Sequence, residues 1–226
     1  VNGQLTGLSS MATRHILADL ARDYEASHGT RVEIRSMGGV EAAKLARAGE
    51  AADVVILASK VMAALEGEGH LAEGGTRDFA RSEIGISVRA GSALPDIASQ
   101  DAVRQAMLDA RKICYSTGPS GDHLKALCEK WGVPPARTLV APPGVPVATL
   151  VADGEADLGF QQLSELIGQP GIEVVGPLPP EIQAVTVFAA GAAAASRDLE
   201  GARAFIAYLA SAETEGAKRR HGMEPP

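Results

Sequence analysis

The sequence predicts an α/β protein of two lobes, each a mostly parallel sheet flanked by helices. The residues up to Leu57 alternate strand, helix, strand, helix, strand, and a second run of β/α elements fills the middle of the chain. A proline-broken stretch, Pro177 to Pro180, then precedes a strand leading back toward the first run. A length of 226 residues suits one domain or two smaller lobes, so the element order has to decide.

Gln4 to Leu8 reads as a first strand, and Met11 to His28 as a helix with Ile16, Leu17, Leu20 and Tyr24 at helical spacing and Gly29 as its stop. Arg31 to Ser36 alternates as a strand, and Val40 to Ala48 is helical. Asp53 to Leu57 is a continuous apolar run of the kind a sheet covered on both faces requires. Val61 to Gly67 is a short helix. Strands follow at Ile84 to Val88, Lys112 to Ser116, Thr138 to Ala141 and Ala156 to Gln161, with helices at Asp101 to Ala110, Ser120 to Trp131 and Val147 to Ala152 between them. Ile172 to Val175 and Gln183 to Ala189 are strands, and Leu199 to Ala210 is a last helix. No internal repeat stands out. The simplest assembly leaves lobe 1 near Ser82 and returns near Ala184, so residues 1–82 with 185–226 form lobe 1 and 83–184 form lobe 2. The two crossings would then form a hinge over a cleft.

Composition narrows the partners. Hydrophobic content of 46% with 22% charged residues is ordinary for a soluble globular protein, and the nearly uncharged stretch from Ile182 to Ser196 is too short to span a bilayer. A formal net charge of −7 argues against nucleic acid, and the basic run Lys218-Arg219-Arg220 reads as a solvated last helical turn. An acidic chain that holds an anion must do so locally, with backbone dipoles and a few aimed side chains. The two cysteines, Cys114 and Cys128, make neither a Cys-x-x-Cys nor a Cys/His cluster, so no metal site is expected. They are open to a disulfide or to two buried free thiols. No signal peptide is visible, and Val1 in place of an initiator methionine is read as the mark of a trimmed leader.

Ser9 and Ser10 open the first helix, Gly38 and Gly39 open the second, and Ser116-Thr117-Gly118-Pro119-Ser120-Gly121 runs from a strand end into a third. Helix starts with small residues in front point backbone N–H groups at an anion. The third is no P-loop, because it lacks the Gly-Lys-Ser/Thr ending. Arg14, one turn into its helix, can hold a carboxylate in bidentate fashion.

Ser9-Ser10, the segment from Leu45 through Gly49 and Ala52-Asp53 to Val55, Ala156-Asp157-Leu158-Gly159-Phe160 and the closing Lys218 to Met223 together resemble the periplasmic molybdate-binding proteins. With them comes the wider group of type II solute-binding proteins of ABC transporters. The resemblance implies the two-lobed type II periplasmic-binding-protein fold, a periplasmic location after removal of a signal peptide, a small anionic ligand, an ABC transporter membrane complex as partner, a monomer and no cofactor. It also implies an oxyanion pocket of hydroxyls and backbone N–H groups from four loops with a tyrosine from a fifth. Ser9 or Ser10 matches the first loop and Ser120 with Gly121 the third. Pro142-Pro143-Gly144-Val145 matches the fourth, with Gly144 or Val145 as donor because proline has no N–H. In the second loop Gly38-Gly39 stand where a serine is usual, and Gln161-Gln162 replace the tyrosine. More room and a planar amide fit an organic di- or tricarboxylate better than a bare tetrahedral oxyanion. The expected ligand contacts are therefore Ser9, Ser10, Arg14, Gly38, Gly39, Ser120, Gly121, Gly144 and Gln162.

Capture of such an anion for import is the first reading, since no Gly-x-Ser-x-Gly, His-Glu-x-x-His or cofactor fingerprint appears. The alternative is an enzyme, because some relatives of the molybdate binders are aconitate isomerases, which shift a proton between allylic carbons without a cofactor. The candidate bases are His123, Glu41 and Lys60. A third class, the effector domain of LysR-type regulators, shares the architecture and carries a helix-turn-helix upstream, but the motifs match the transporter group more closely.

Overall fold

The computed structural model describes residues 3–226; the reading of Val1 as a trimmed start lies outside them. The chain divides into two compact units, one comprising the residues up to Ser82 together with Val187–Pro226, the other Glu83–Thr186.

The first unit begins with β1 (Gln4–Ser10), a 3-10 turn at Met11–Thr13 and α1 (Arg14–His28), followed by β2 (Arg31–Met37), α2 (Gly39–Arg47), β3 (Val54–Ala58), α3 (Ser59–Gly67) and β4 (Arg77–Ser82). The second unit holds β5 (Ile84–Arg89), α4 (Gln100–Asp109), β6 (Ile113–Tyr115), α5 (Pro119–Trp131), β7 (Thr138–Val140), α6 (Val147–Ala152), β8 (Leu158–Gln162), α7 (Leu163–Leu166) and β9 (Ile172–Pro177). The chain then re-enters the first unit along β10 (Thr186–Ala192) and ends with α8 (Leu199–Leu209), α9 (Glu215–Arg220) and β11 (Met223–Glu224).

The strand orders are β11-β4-β10-β3-β1-β2 and β7-β6-β8-β5-β9. Each sheet has a parallel heart, β2-β1-β3 and β7-β6-β8, as successive βαβ crossovers demand. Outside the heart the ladders are antiparallel, β10 on β3 and β5 on both β8 and β9, so the sheets are mixed. β5 and β10 each enter from the other unit, so no crossover helix dictates their direction.

Burial explains the continuous apolar runs. Val54 and Ile56 of β3 join a core with Leu5, Ile16, Leu17, Leu20, Tyr24 and Phe205, while Val55 and Leu57 face a second one with Ala42, Ala46, Met62 and Leu65. Alternate side chains of one strand point to opposite faces, so a strand covered by helices on both sides has no polar positions. β6 repeats this, with Ile113 and Tyr115 on one face and Cys114 on the other.

Two local readings are corrected, and some short elements went unread. The expected strand from Gln183 to Ala189 starts at Thr186, because the Gln183 amide replaces a ladder. Its oxygen accepts the Ile84 N–H (2.9 Å), and its nitrogen donates to the Ile84 and Leu178 carbonyls (3.1 Å each). The run Lys218-Arg219-Arg220 is not wholly solvated: Lys218 is only 1% exposed. Burial pushes its ammonium below the ordinary lysine range, with Glu215 opposing. β4, α7 and β11 went unread, and of α9 only the last turn was expected; β4 carries only Phe79 and Ala80 as apolar residues amid charges. Cys114 and Cys128 are buried free thiols. Burial pushes them up to about 12 and about 11, so neither is a thiolate at neutral pH. No helix among the described residues is long and apolar enough to cross a membrane.

Candidate functional site

In the first unit, β1 and β2 run in register, Ser9 opposite Ser36 and Ser10 opposite Met37, with β3 on the other side of β1. All three strands end at the same edge, and each leads into a helix. Ser9 is fully buried; its hydroxyl lies 2.8 Å from that of Ser36 and donates weakly to the Ser10 carbonyl (3.3 Å). The Ser10 hydroxyl has no hydrogen-bond partner although the residue is 8% exposed. A buried hydroxyl without a partner is a cost that a bound group can relieve.

Gly39 lies beside Ser10: a Cβ added to it would be 3.9 Å from the Ser10 Cβ, and one added to Gly38 would meet nothing within 4 Å. Gly38 has φ −55°, and Gly39 is also outside the left-handed region, so the backbone needs neither as glycine. Their lack of side chains leaves open space at the start of α2, whose first amides have no acceptor within the helix. Arg14 is exposed at the start of α1, its guanidinium 3.2 Å from His15 Nε2. Since arginine only donates, that nitrogen is the acceptor; burial and then Arg14 lower the His15 pKa. Glu41 and Lys60 are exposed in the first turns of α2 and α3.

In the second unit the equivalent edge lies beyond β6, β7 and β8. Gly118, at φ 94°, turns the chain into Pro119 at the first position of α5. Ser120 follows, 4% exposed. A Cβ on Gly121 would fall 1.6 Å from the Ser116 carbonyl oxygen, so this glycine is required by packing alone. His123, one turn on, has Nε2 2.7 Å from the Ile182 carbonyl. Only a protonated nitrogen can bond to a carbonyl, which leaves Nδ1 as the basic nitrogen of a neutral ring. The turn Pro142-Pro143-Gly144-Val145 is closed by the Val145 N–H on the Pro142 carbonyl (3.0 Å). Of the two expected donors Val145 is therefore already used, and Gly144, at φ 79°, remains.

The adjacent glutamines have different roles. Gln161 is bonded at both ends: its oxygen accepts the Val147 N–H at the start of α6 (3.2 Å) and its nitrogen donates to Glu165 (2.7 Å). Gln162 donates to the Thr186 hydroxyl (2.9 Å), but its oxygen is buried with no partner. Thr186 escaped the sequence reading, because it matters through a contact with a residue on another strand. A groove of about 720 Å³ lies elsewhere in the second unit, lined by Leu94, Gln105, Arg111 and Asp157 among others, and none of the expected ligand residues lines it.

The model for the family described as bacterial extracellular solute-binding protein matches residues 5–224. The chain belongs to that family. Among proteins similar to this solute-binding protein is the aconitate isomerase of a Pseudomonas species, 36% identical, with 98% of this chain and 87% of the relative covered. Among solved structures, the periplasmic molybdate-binding protein of Azotobacter vinelandii superposes with a TM-score of 0.80 at 20% identity, over 98% of this chain and 99% of the other. The tungstate-binding protein of Desulfovibrio alaskensis gives 0.69 at 14% identity, with 99% of each chain covered. This solute-binding protein therefore has the two-lobed fold of the periplasmic binding proteins.

Proposed function

We propose that this chain captures a small organic tricarboxylate of the aconitate class. The first-unit contacts are Ser9, Ser10, Arg14, Gly38 and Gly39, and the second-unit contacts Ser120, Gly121, Gly144 and Gln162. The observation that carries the reading is the 36% identity, over nearly the whole chain, to a protein named for acting on aconitate. The local chemistry supports it. Gly38 and Gly39 leave room that a serine would fill, the Ser10 hydroxyl and the Gln162 amide each have an unfilled bond, and Arg14 can pair a carboxylate in a planar fork. The setting in this reading is the periplasm, with delivery to an ABC transporter membrane complex.

A second reading, turnover, is favoured by the same relative. Interconversion of trans- and cis-aconitate moves a proton: a base takes one from the methylene carbon, the double bond migrates, and a proton returns to the other allylic carbon. No electron acceptor or cofactor is needed. His123 through Nδ1, Glu41 and Lys60 are the base candidates.

A thermal-shift panel of molybdate, tungstate, sulfate, citrate and both aconitate isomers tests the ligand, since a ligand at about a hundred times its Kd adds about 2.7 kcal/mol to stability. Stabilisation by the tricarboxylates is expected; stabilisation by molybdate or tungstate alone would reject the reading. Incubating pure protein with trans-aconitate and following the cis isomer then separates turnover from capture, and no conversion at high protein concentration rejects the isomerase.

A further inference from the structure

We infer that Thr186 is a positioning residue which lets the Gln162 carboxamide face its ligand either way round, so that one position in the second unit accepts a carboxylate or a hydroxyl. This rests on the proposed capture of an organic anion and names the groups that ligand can carry. Gln162 is the last residue of β8, held opposite Ile84 of β5 and only 3% exposed. One end of its amide bonds to the Thr186 hydroxyl at 2.9 Å, while the other is buried with no partner. Gln161 beside it shows what a purely structural amide looks like here, with both ends satisfied within the unit. An amide kept half-satisfied under such burial points to a group that completes it.

A hydroxyl both donates and accepts, so the contact with Thr186 survives a half-turn of the amide. With the nitrogen on Thr186, the free end is a carbonyl oxygen that accepts from a ligand hydroxyl or a protonated carboxyl. With the oxygen on Thr186, the free end is an NH2 group that donates to a carboxylate. A bare oxyanion offers acceptors only, so the adaptability serves a ligand carrying both kinds of group.

The test compares wild type, Thr186→Val and Thr186→Ser by calorimetric titration with citrate, which has a hydroxyl, and tricarballylate, which has none. Wild type is expected to bind both, Thr186→Val to bind both about fivefold more weakly, and Thr186→Ser to recover to within about twofold, as loss and return of one anchoring hydrogen bond require. A Thr186→Val protein with the wild-type melting temperature and wild-type affinity for both overturns the inference and leaves the tricarboxylate reading standing. Should Thr186→Val not fold, the side-chain NH2 resonances of Gln162 in the wild type, identified by their loss in Gln162→Leu, decide. A shift of that pair on saturation with tricarballylate supports the inference, and no shift overturns it. Failure of the wild type to bind either acid removes the reading and the inference together.

Discussion

Replacing Asp53 by Asn changes one atom in a carboxylate that accepts four hydrogen bonds. One oxygen takes the Thr6 N–H (2.9 Å) and the Thr6 hydroxyl (3.1 Å); the other takes the Ser196 hydroxyl (2.8 Å) and the Arg197 N–H (3.3 Å). Asn keeps an oxygen for the Thr6 pair. Its NH2 end can donate to a turned Ser196 hydroxyl, but it meets the Arg197 N–H donor to donor. Charge-assisted bonds contribute about 1.5–3 kcal/mol each against about 0.5–1.5 for neutral ones, so losing the charge across the set and one bond outright is expected to cost about 2–3 kcal/mol. Burial alone would raise the Asp53 carboxyl, but the bonds from Thr6, Ser196 and Arg197 together outweigh it and hold the pKa below the usual range. A depressed carboxylate contributes its stability above the unfolded value of about 3.9 and loses it as pH falls through the folded value. The gap between wild type and Asp53→Asn, from urea unfolding followed by circular dichroism, should therefore be constant from neutral pH down to about 4 and then close. Equal stability at neutral pH, or a gap unchanged at about pH 3, would refute the account.

Lys218→Met should stabilise the protein by about 1–4 kcal/mol at neutral pH, because it replaces a buried ammonium by an apolar chain of similar volume. With the folded pKa lowered by burial, the unfolded state binds more protons between that value and about 10.4, so wild type gains stability as pH rises through this window and the advantage of Met shrinks. A Met variant less stable at neutral pH in urea titrations would sink this. Gly121→Ala should lose more than about 3 kcal/mol, since its methyl collides with the Ser116 carbonyl, whereas Gly38→Ala, which meets nothing, should stay within about 0.5 kcal/mol. Similar melting temperatures for the two variants would contradict this assignment.

What could be read from the sequence follows the range of the interactions. α1 was legible because Ile16, Leu17, Leu20 and Tyr24 recur with the helical period, and β3 because a strand buried on both faces writes itself as Val54 to Leu57 without interruption. The helix starts at Gly39 and Pro119 were legible because small residues and proline have local backbone meanings. β4 was not, since its place in the sheet comes from neighbours more than a hundred residues away in β10 and β11. Lys218 was misread for the same reason: three basic residues in a row signal solvent, and only tertiary packing buries one of them. Among the candidate site residues, Gly38 and Gly121 are the same letter with opposite meanings. One leaves space open and the other avoids a collision, and only coordinates tell them apart. The two glutamines are also alike in sequence, and their separate roles depend on Val147, Glu165 and Thr186.

Asp53 and Asp157 carry the argument about function one step further, because they do equivalent work in the two units. Asp53 N–H donates to the Thr6 carbonyl while its carboxylate accepts the Thr6 N–H; Asp157 N–H donates to the Lys112 carbonyl while its carboxylate accepts the Arg111 N–H (2.7 Å). Each follows a Gly-Glu-Ala stretch. Both clamp the N-terminal ends of parallel strands, where β1 meets β3 and β6 meets β8. At the opposite, C-terminal ends of the same strands stand the Ser10 hydroxyl and the Gln162 oxygen, buried and unpartnered. The Thr76, Ser164 and Ser211 hydroxyls are also buried without a partner, and what sets Ser10 and Gln162 apart is that each ends a strand of a parallel heart. Parallel sheets place ligands at their carboxyl ends for this reason: strand ends and helix starts there converge with donors unfilled. If the open bonds were only packing defects, removing the unpartnered group, as in Ser10→Ala, would stabilise the protein and leave anion affinity unchanged; if they serve the ligand, the same change should stabilise the free protein and weaken binding.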